Sequence, residues 1–530
     1  MSDAPQTAHT SGEPDPMRWW TLGAVCVATF MLLLDITIVN VALPDIQRDL
    51  NASFQDLQWV VDAYALTLAS FMLTAGSLAD LFGRRRVFVL GLGLFVLASL
   101  LCGLSTSPTA LNLSRALQGI GGAAMFATSL ALLAAAFSGR ERGTALGIWG
   151  ATTGASVAVG PLVGGVLVQH VSWQSIFFVN LPIGIAAIIV SLRTVKETRD
   201  PHAARVDWAG LVTFSGALFA LVFALVRGNS EGWGSTTIVA LFVVAVVLLI
   251  AFVAVERHQE RPMFDLTLLR KPAFVGASVV AFCLSASMFS MFLYLTLYMQ
   301  NVLGFSPLEA GLRFLPITLL SFVCAAVSGN LTERVPVRFL MGAGLGLVGV
   351  GLLLMSGLDA NSKWTALLPG FLLAGAGIGL TNPAIASTAV GVVDPRRTGM
   401  ASGINSTFRQ VGIATGIAAL GAIFQSSVTG KITDALGPGA SSVRLPPAEV
   451  LAQGNPNVLG PARDAFLTGW TGALNEILVI AAIIALAGAV AALILVRKED
   501  FVAHGAPAGA PAEAEAGAGA GAGAPAGHGG

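Results

Sequence analysis

Hydrophobic positions along this chain fall into long runs rather than into alternating or amphipathic patterns. Fourteen apolar segments occur at about 19–43, 57–79, 87–106, 109–137, 143–168, 176–193, 207–226, 236–255, 273–300, 307–329, 337–358, 365–392, 400–425 and 470–496. A bilayer core about 30 Å thick requires roughly 20 such residues per helix, so each run predicts a membrane-crossing α-helix. Residues 1–17 are polar and lack the basic start of a cleavable signal, so the first run is expected to remain as a span. Two segments break the pattern, a Pro/Gly/Ser/Asn-rich stretch at 426–469 and an Ala/Gly/Pro tail at 505–530. Both compositions predict disorder, because neither supplies enough apolar surface to offset ordering.

Lys and Arg distribute unevenly between the two sets of connections. One set and the tails hold 20, the opposite set holds 6, and Arg115, Arg313 and Arg409 fall inside spans. The excess marks the cytoplasmic side, which places both termini in the cytoplasm of a cell (plasma) membrane protein. Trp19, Trp20, Trp208, Trp233, Trp364 and Trp470 lie at predicted span ends, where an aromatic belt would put them.

Composition narrows the reading further. Of 530 residues, 55% are hydrophobic and 11% charged, with 29 basic and 29 acidic groups and 61 glycines. Too little polar surface remains for a soluble enzyme, and the zero net charge removes any basic patch for nucleic acid. The four cysteines lie within apolar runs and the histidines form no cluster, so no metal or other cofactor is expected. No nucleophile–base constellation supports an enzyme, and no Walker sequence supports direct use of ATP.

The two halves repeat one another. Gly119, Gly121, Gly143, Gly147, Gly160 and Gly165 recur 256 residues later as Gly375, Gly377, Gly399, Gly403, Gly416 and Gly421. The loop residues Gly76, Leu78, Asp80 and Arg85 recur at an offset of 253 as Gly329, Leu331, Glu333 and Arg338. Helices one to six therefore correspond to helices nine to fourteen, with seven and eight as an inserted pair. The expected units are a tail at 1–18, a six-helix bundle at 19–194, the inserted pair with its flanking loops at 195–272, a second bundle at 273–497 and a tail at 498–530. Duplicated six-helix halves around a midplane site are a transporter architecture.

Several motifs carry chemistry. After the second span, Gly76-Ser-Leu-Ala-Asp80-Leu-Phe-Gly83-Arg84-Arg85-Arg86 combines turn-permitting glycines with a carboxylate and three cations. The fourth span carries Leu111-x-x-x-Arg115-x-x-Gln118-Gly119-x-Gly121. An arginine at that depth costs about 2.5–3.5 kcal/mol on insertion scales and points to function. In the fifth, Gly143, Gly147, Gly150, Gly154, Ala158, Pro161 and Gly165 put small residues on one face, with Pro161 expected to bend the helix. The loop motif resembles the signature of the major facilitator superfamily. Gly150-x-x-x-Gly154 with Gly160-Pro161-x-x-Gly164-Gly165 resembles the superfamily's antiporter motif.

Three further stretches resemble the fourteen-span drug:proton antiporters of the EmrB/QacA type. They are Leu34-Asp35-x-Thr37-x-x-Asn40-Val41-Ala42-Leu43-Pro44, Trp173-Gln174-Ser175-Ile176-Phe177-Phe178-Val179-Asn180-Leu181-Pro182-Ile183-Gly184, and Ser402-Gly403-x-Asn405-x-x-Phe408-Arg409-Gln410-x-Gly412. Gln174 and Ser175 depart from the Arg and Trp of that family's pattern. The resemblance, over residues 18–497, implies an all-α major facilitator fold, an antiporter motif at the fifth helix and a role for Arg115 in proton coupling.

Counting depth at about 1.5 Å per residue puts Asp35, Asp62, Arg115, Arg313 and Glu476 in the outer half of the membrane. Asp35 is the expected proton carrier and Arg115 its tuning partner, with Asp62 and Glu476 as further coupling candidates. Gly76, Asp80, Gly83, Arg84, Arg85, Gly154, Gly160, Pro161, Gly164 and Gly165 are expected to serve conformational gating. Asn40, Gln118, Asn405 and Arg409 are expected to face the substrate cavity. The combined expectation is a monomeric, proton-coupled exporter of small amphipathic organic compounds working by alternating access. An exporter dedicated to one metabolite or antibiotic, and a passive channel or receptor, stand as alternatives.

Overall fold

In the computed structural model, residues 16–497 and 499 are described, except 53, 200–206, 260–263, 333, 394–397, 438–442, 444 and 453. The described residues are almost entirely helical. We number the long helices α1 (Arg18–Leu50), α2 (Phe54–Phe82), α3 (Arg84–Gly103), α4 (Pro108–Ala136), α5 (Gly139–His170) and α6 (Ser175–Thr194) in the first half. An inserted pair follows, α7 (Trp208–Glu231) and α8 (Thr236–His258). The second half comprises α9 (Pro272–Val302), α10 (Pro307–Leu331), α11 (Val337–Met355), α12 (Trp364–Gly391), α13 (Thr398–Leu436) and α14 (Arg463–Leu495). Among the described residues, thirteen of these are long and apolar enough to cross a membrane; the fourteenth, the glycine-rich α5, spans 32 residues.

Local sequence explains where the helices start and stop. Ser107 accepts from Ala110 N–H ahead of Pro108, and Ser306 and Glu309 form a reciprocal capping box ahead of α10. Asn51 ends α1 in the left-handed region, at φ 49°. α9 departs from regular α geometry, with π turns at Ser285–Phe289 and Tyr298–Val302.

The repeat seen in sequence is a repeat of packing. Gly119 of α4 meets Tyr64 and Thr67 of α2, and Gly375 of α12 meets Ile317 of α10. A Cβ at Gly121 would lie 2.7 Å from the Gly91 carbonyl oxygen of α3, and one at Gly377 would lie 2.8 Å from Val348 N of α11. Gly160 abuts Thr37 of α1, and Gly416 abuts Ser290 of α9. The fold is thus two six-helix bundles with the α7–α8 pair between them in the chain.

The bundles join through the same repeat. A Cβ at Gly147 of α5 would lie 2.6 Å from the Ala325 carbonyl oxygen of α10. Its counterpart Gly403 of α13 would bring a Cβ to 3.1 Å from the Met72 carbonyl oxygen of α2. Met72 and Ala325 are themselves 253 residues apart, so the two seams are related by a pseudo-twofold exchange of halves.

Three expectations need correction. The stretch 426–469 is not a disordered loop where it is described: α13 continues to Leu436, and short helices follow at Ala448–Ala452 and Pro456–Ala462. Its sparse apolar residues Val428, Ile432, Leu451 and Leu459 are buried with Phe466 and Trp470, which is enough to fix it. Trp470 is therefore a core residue, stacked on Tyr298 with ring centroids 5.9 Å apart, rather than a belt residue. Arg313 does not join a buried charge layer; its guanidinium lies 3.6 Å from the Phe305 ring centroid and 5.6 Å from that of Trp364, a snorkelling position near the helix end. The tail at 505–530 lies outside the described residues.

Candidate functional site

Four helices of the first half converge on Asp35 of α1. Arg115 of α4 donates through Nη1 to Asp35 Oδ2. Gln118, one turn along α4, donates from Nε2 to Asp35 Oδ1 at 2.9 Å, and Asn180 at the start of α6 donates to the same oxygen at 3.2 Å. Ser99 of α3 accepts from both amides, at 2.9 and 3.3 Å. Arg115 Nε donates to the Val60 carbonyl of α2 at 2.9 Å and Nη1 also to Gln118 Oε1 at 2.6 Å. The Tyr64 ring lies 4.3 Å from the guanidinium carbon.

Asp35, Arg115 and Asn180 are each 1% exposed and Gln118 is fully buried. Removing two charges from water costs several kcal/mol per ion, recovered only with close geometry and saturated hydrogen bonding. Both conditions hold here, because Arg115 Nη1 and the two amides together occupy the carboxylate. The network ties α1, α2, α3, α4 and α6 into one polar knot.

A second polar site lies at the α2–α3 turn. Asp80 at the end of α2 accepts from Arg84 Nε at 2.9 Å and, across the bundle seam, from the Met400 backbone N–H at 2.9 Å. Met400 lies in the first turn of α13, where the helix dipole favours an anion. Gly83 connects α2 to α3 at φ 110°, a conformation strained for any residue with a Cβ. A Cβ there would also lie 2.6 Å from the Glu197 carboxylate, which accepts from Arg85 N–H at 3.0 Å and Arg86 N–H at 3.2 Å and so caps α3. Arg85 Nη1 donates to the Val195 carbonyl at 3.4 Å. Beside this site Gly143 of α5 and Gly329 of α10 touch backbone to backbone, and Gly403 packs near Gly76. The halves are therefore sealed at this end.

The second half carries a different polar group. Arg409 of α13, 6% exposed, donates to Asn382 Oδ1 of α12 at 2.9 Å. Asn405, one turn below Arg409, is 1% exposed.

The expected site residues thus separate into groups. Asp35, Arg115 and Gln118 come together; Gln118 is enclosed by that pair instead of lining an open cavity. Glu476 lies apart, on α14, with Ser427 donating to it at 2.6 Å and Lys431 at 3.2 Å, and its side chain is 40% exposed. Gly160 and Gly164 seat α5 on Thr37 and Ile38 of α1, and Gly165 lies beside them in α5, half-buried. The side chains of Asn40, Asp62, Gly154 and Pro161 lie outside the described residues, although α5 runs without a break through positions 154 and 161. Ser99, Tyr64, Asn180, Glu197 and Asn382 were not assigned roles from sequence. Asn180 stood in a recognisable motif, but the others carry no local signal.

Comparison with known proteins agrees with this architecture. The family model described as Major Facilitator Superfamily matches residues 25–417. The chain belongs to the major facilitator superfamily. It is 39% identical over 404 residues to "Multidrug resistance protein Stp" of Mycobacterium tuberculosis, covering 76% of this chain and 75% of that one. It is 36% identical over 423 residues to "Tetracenomycin C resistance and export protein" of Streptomyces glaucescens, covering 79% of each. Among solved structures, the human organic anion transporter MFSD10 (TETRAN) superposes with a TM-score of 0.57 at 16% identity, covering 89% of this chain and all of that one, which is a likeness of fold. The chain is accordingly a multi-pass membrane transporter of this superfamily.

Proposed function

We propose that this transporter is a proton-coupled antiporter of the fourteen-span EmrB/QacA type. It exports small amphipathic organic compounds from the cytoplasm across the plasma membrane, as a monomer with both termini inside. The observation that carries the reading is the Asp35–Arg115 pair. A titratable carboxylate sealed in the membrane-spanning region, at the centre of a polar network that links five helices, couples protonation to helix packing. Protonation would neutralise the carboxylate, weaken its hold on Arg115, Gln118 and Asn180, and free α1 to move against α5 along the Gly160–Gly164 seam. The cytoplasmic-side contacts of Asp80 with Met400 and of Gly143 with Gly329 would then open and close in alternation with the outer side. Asp62 and Glu476 are further candidates for the proton path. Two relatives named for resistance, one of them also for export, support the direction and the substrate class. An exporter dedicated to one endogenous compound is the second reading, since tetracenomycin C export names a single compound.

The test is reconstitution in proteoliposomes with an imposed pH gradient. Uphill movement of an amphipathic dye that collapses with a protonophore, and that is lost in Asp35→Asn, is expected. Downhill flux alone, unaffected by the gradient, would refute proton coupling.

A further inference from the structure

The two halves repeat in backbone and glycine seams but not in charge. Positions equivalent to Asp35, Arg115 and Gln118 hold Met288, Phe371 and Ala374 in the second half. Conversely, Asn382, Asn405 and Arg409 correspond to Phe126, Trp149 and Thr153 in the first. Each half has one polar cluster where its twin is largely apolar. The first-half cluster is charge-neutral and its carboxylate and amide groups are saturated. The second-half cluster has a cation, and its described hydrogen bonds include no carboxylate.

Arg409 is 94% buried, and its one described side-chain hydrogen bond goes to Asn382 Oδ1. Asn382 and Asn405 are each 99% buried, and among the described residues the Nδ2 donors of both lack a partner, as does Ser402 Oγ. Ser402, Asn405 and Arg409 fall on one face of α13 by their three- and four-residue spacing. Arginine stays protonated, and an uncompensated buried cation costs several kcal/mol. Orphaned amide N–H groups add about 1–3 kcal/mol each. Asn382 also lies against the other half, its Cβ 3.3 Å from the point a Cβ at Gly150 of α5 would occupy. The cluster therefore sits on the seam that parts when the halves rock.

We propose that Arg409, Asn382 and Asn405 form an anion site for the transported compound, selecting amphipathic molecules with a carboxylate group. A guanidinium fork flanked by amide donors matches a group with two acceptor oxygens. Binding would supply the missing negative charge and use the orphaned donors. The proposal rests on the exporter reading for the word substrate, and it names the chemistry of that substrate.

The probes are three molecules on one ring: 2-naphthoate, its uncharged amide and 2-naphthylmethylammonium. Equilibrium binding of each to the full chain in nanodiscs is measured near neutral pH. Wild type is expected to prefer naphthoate over the other two by about tenfold or more, the worth of charge-assisted hydrogen bonds. Arg409→Gln should remove that preference, lowering naphthoate's affinity far more than the amide's. Asn405→Asp, which puts a carboxylate beside Arg409, should weaken naphthoate and strengthen the cation, an outcome that a merely unfolded variant does not give. Equal binding of the three probes, no binding of any, or a preference that survives Arg409→Gln overturns the site. Gradient-driven efflux of a neutral amphiphile without anion preference would sink the site and leave the exporter reading standing. Anion preference without any response to a pH gradient would do the reverse.

Discussion

Arg115 and Asp35 come from helices 80 residues apart, and yet each is the other's charge partner at 1% exposure. The pair is held at its edges as much as at its centre. Gln118 bridges the two, donating to the carboxylate and accepting from the guanidinium. The geometry defines what replacement of either partner should do.

Asp35→Asn should abolish proton-driven transport, because an amide does not titrate. It should also destabilise the fold by about 3–5 kcal/mol, since Arg115 is left buried without a counter-charge. The double variant Asp35→Asn/Arg115→Gln should regain much of that stability and none of the coupling. Thermal unfolding and gradient-driven efflux, measured on the same preparations, separate the two effects. A double variant no more stable than Asp35→Asn would show that the pair contributes little to the fold.

Arg115→Lys should keep the charge but lose function in part. Arginine uses Nε on the Val60 carbonyl, Nη1 on Asp35 and Gln118, and its planar face on Tyr64. An ammonium reaches fewer of these at once. Coupled efflux is expected to fall by about tenfold or more, the equivalent of one charge-assisted hydrogen bond. Wild-type turnover would mean that charge alone suffices.

These residues also show what the chain discloses before folding. The fourteen runs, the repeat and the pairing of Asp35 with Arg115 were legible because membrane helices need long apolar stretches, and because the few charges within them share one depth. The saturation of the pair was not legible. Ser99 and Tyr64 are ordinary residues at helical spacing, and only the packing of α2, α3 and α4 brings them to the site. Depth along a helix gives no direction, so the sequence did not show that the Glu476 side chain turns to Lys431 and solvent. The stretch after position 426 was misread because composition averages over the four buried aliphatic residues that anchor it.

Glu476→Gln should therefore change stability by less than about 1 kcal/mol, as expected for an exposed pair with Lys431. If Glu476 belongs to the proton path, efflux will fall while stability holds. Retention of both would remove it from the candidates.

The α1–α5 seam makes a sharper structural prediction. A Cβ at Gly160 collides with Thr37 Oγ1 and would lie 2.7 Å from Thr37 Cβ, while Ile38 N is at an acceptable 3.4 Å. Gly160→Ala should impair transport by holding α1 away from α5. Thr37→Ala should not rescue it, because the Cβ remains, whereas Thr37→Gly should, apart from roughly a few tenths of a kcal/mol of helix propensity. Rescue by Thr37→Ala, or no defect in Gly160→Ala, would show that the seam has slack.

The last prediction concerns the seal at the α2–α3 turn, the end that the proposed orientation places in the cytoplasm. Asp80 places one oxygen on Arg84 and the other on the Met400 N–H at the start of α13. Asp80→Asn keeps the size but loses the negative charge that both partners attract. A charge at a partly buried helix N-terminus is worth up to about 2 kcal/mol, so the sealed arrangement should lose up to about 30-fold in population relative to the open one. Met72 abuts Gly403 on the same seam and is fully buried there. A cysteine introduced at Met72 should react slowly with a membrane-impermeant maleimide applied to the cytoplasmic face. In Asp80→Asn its labelling rate should rise. Asp80→Glu is the control: it retains the charge on a longer arm and should raise the rate less than Asn does. Equal labelling in wild type and Asp80→Asn would mean that the glycine contacts, not the carboxylate, hold the cytoplasmic side shut.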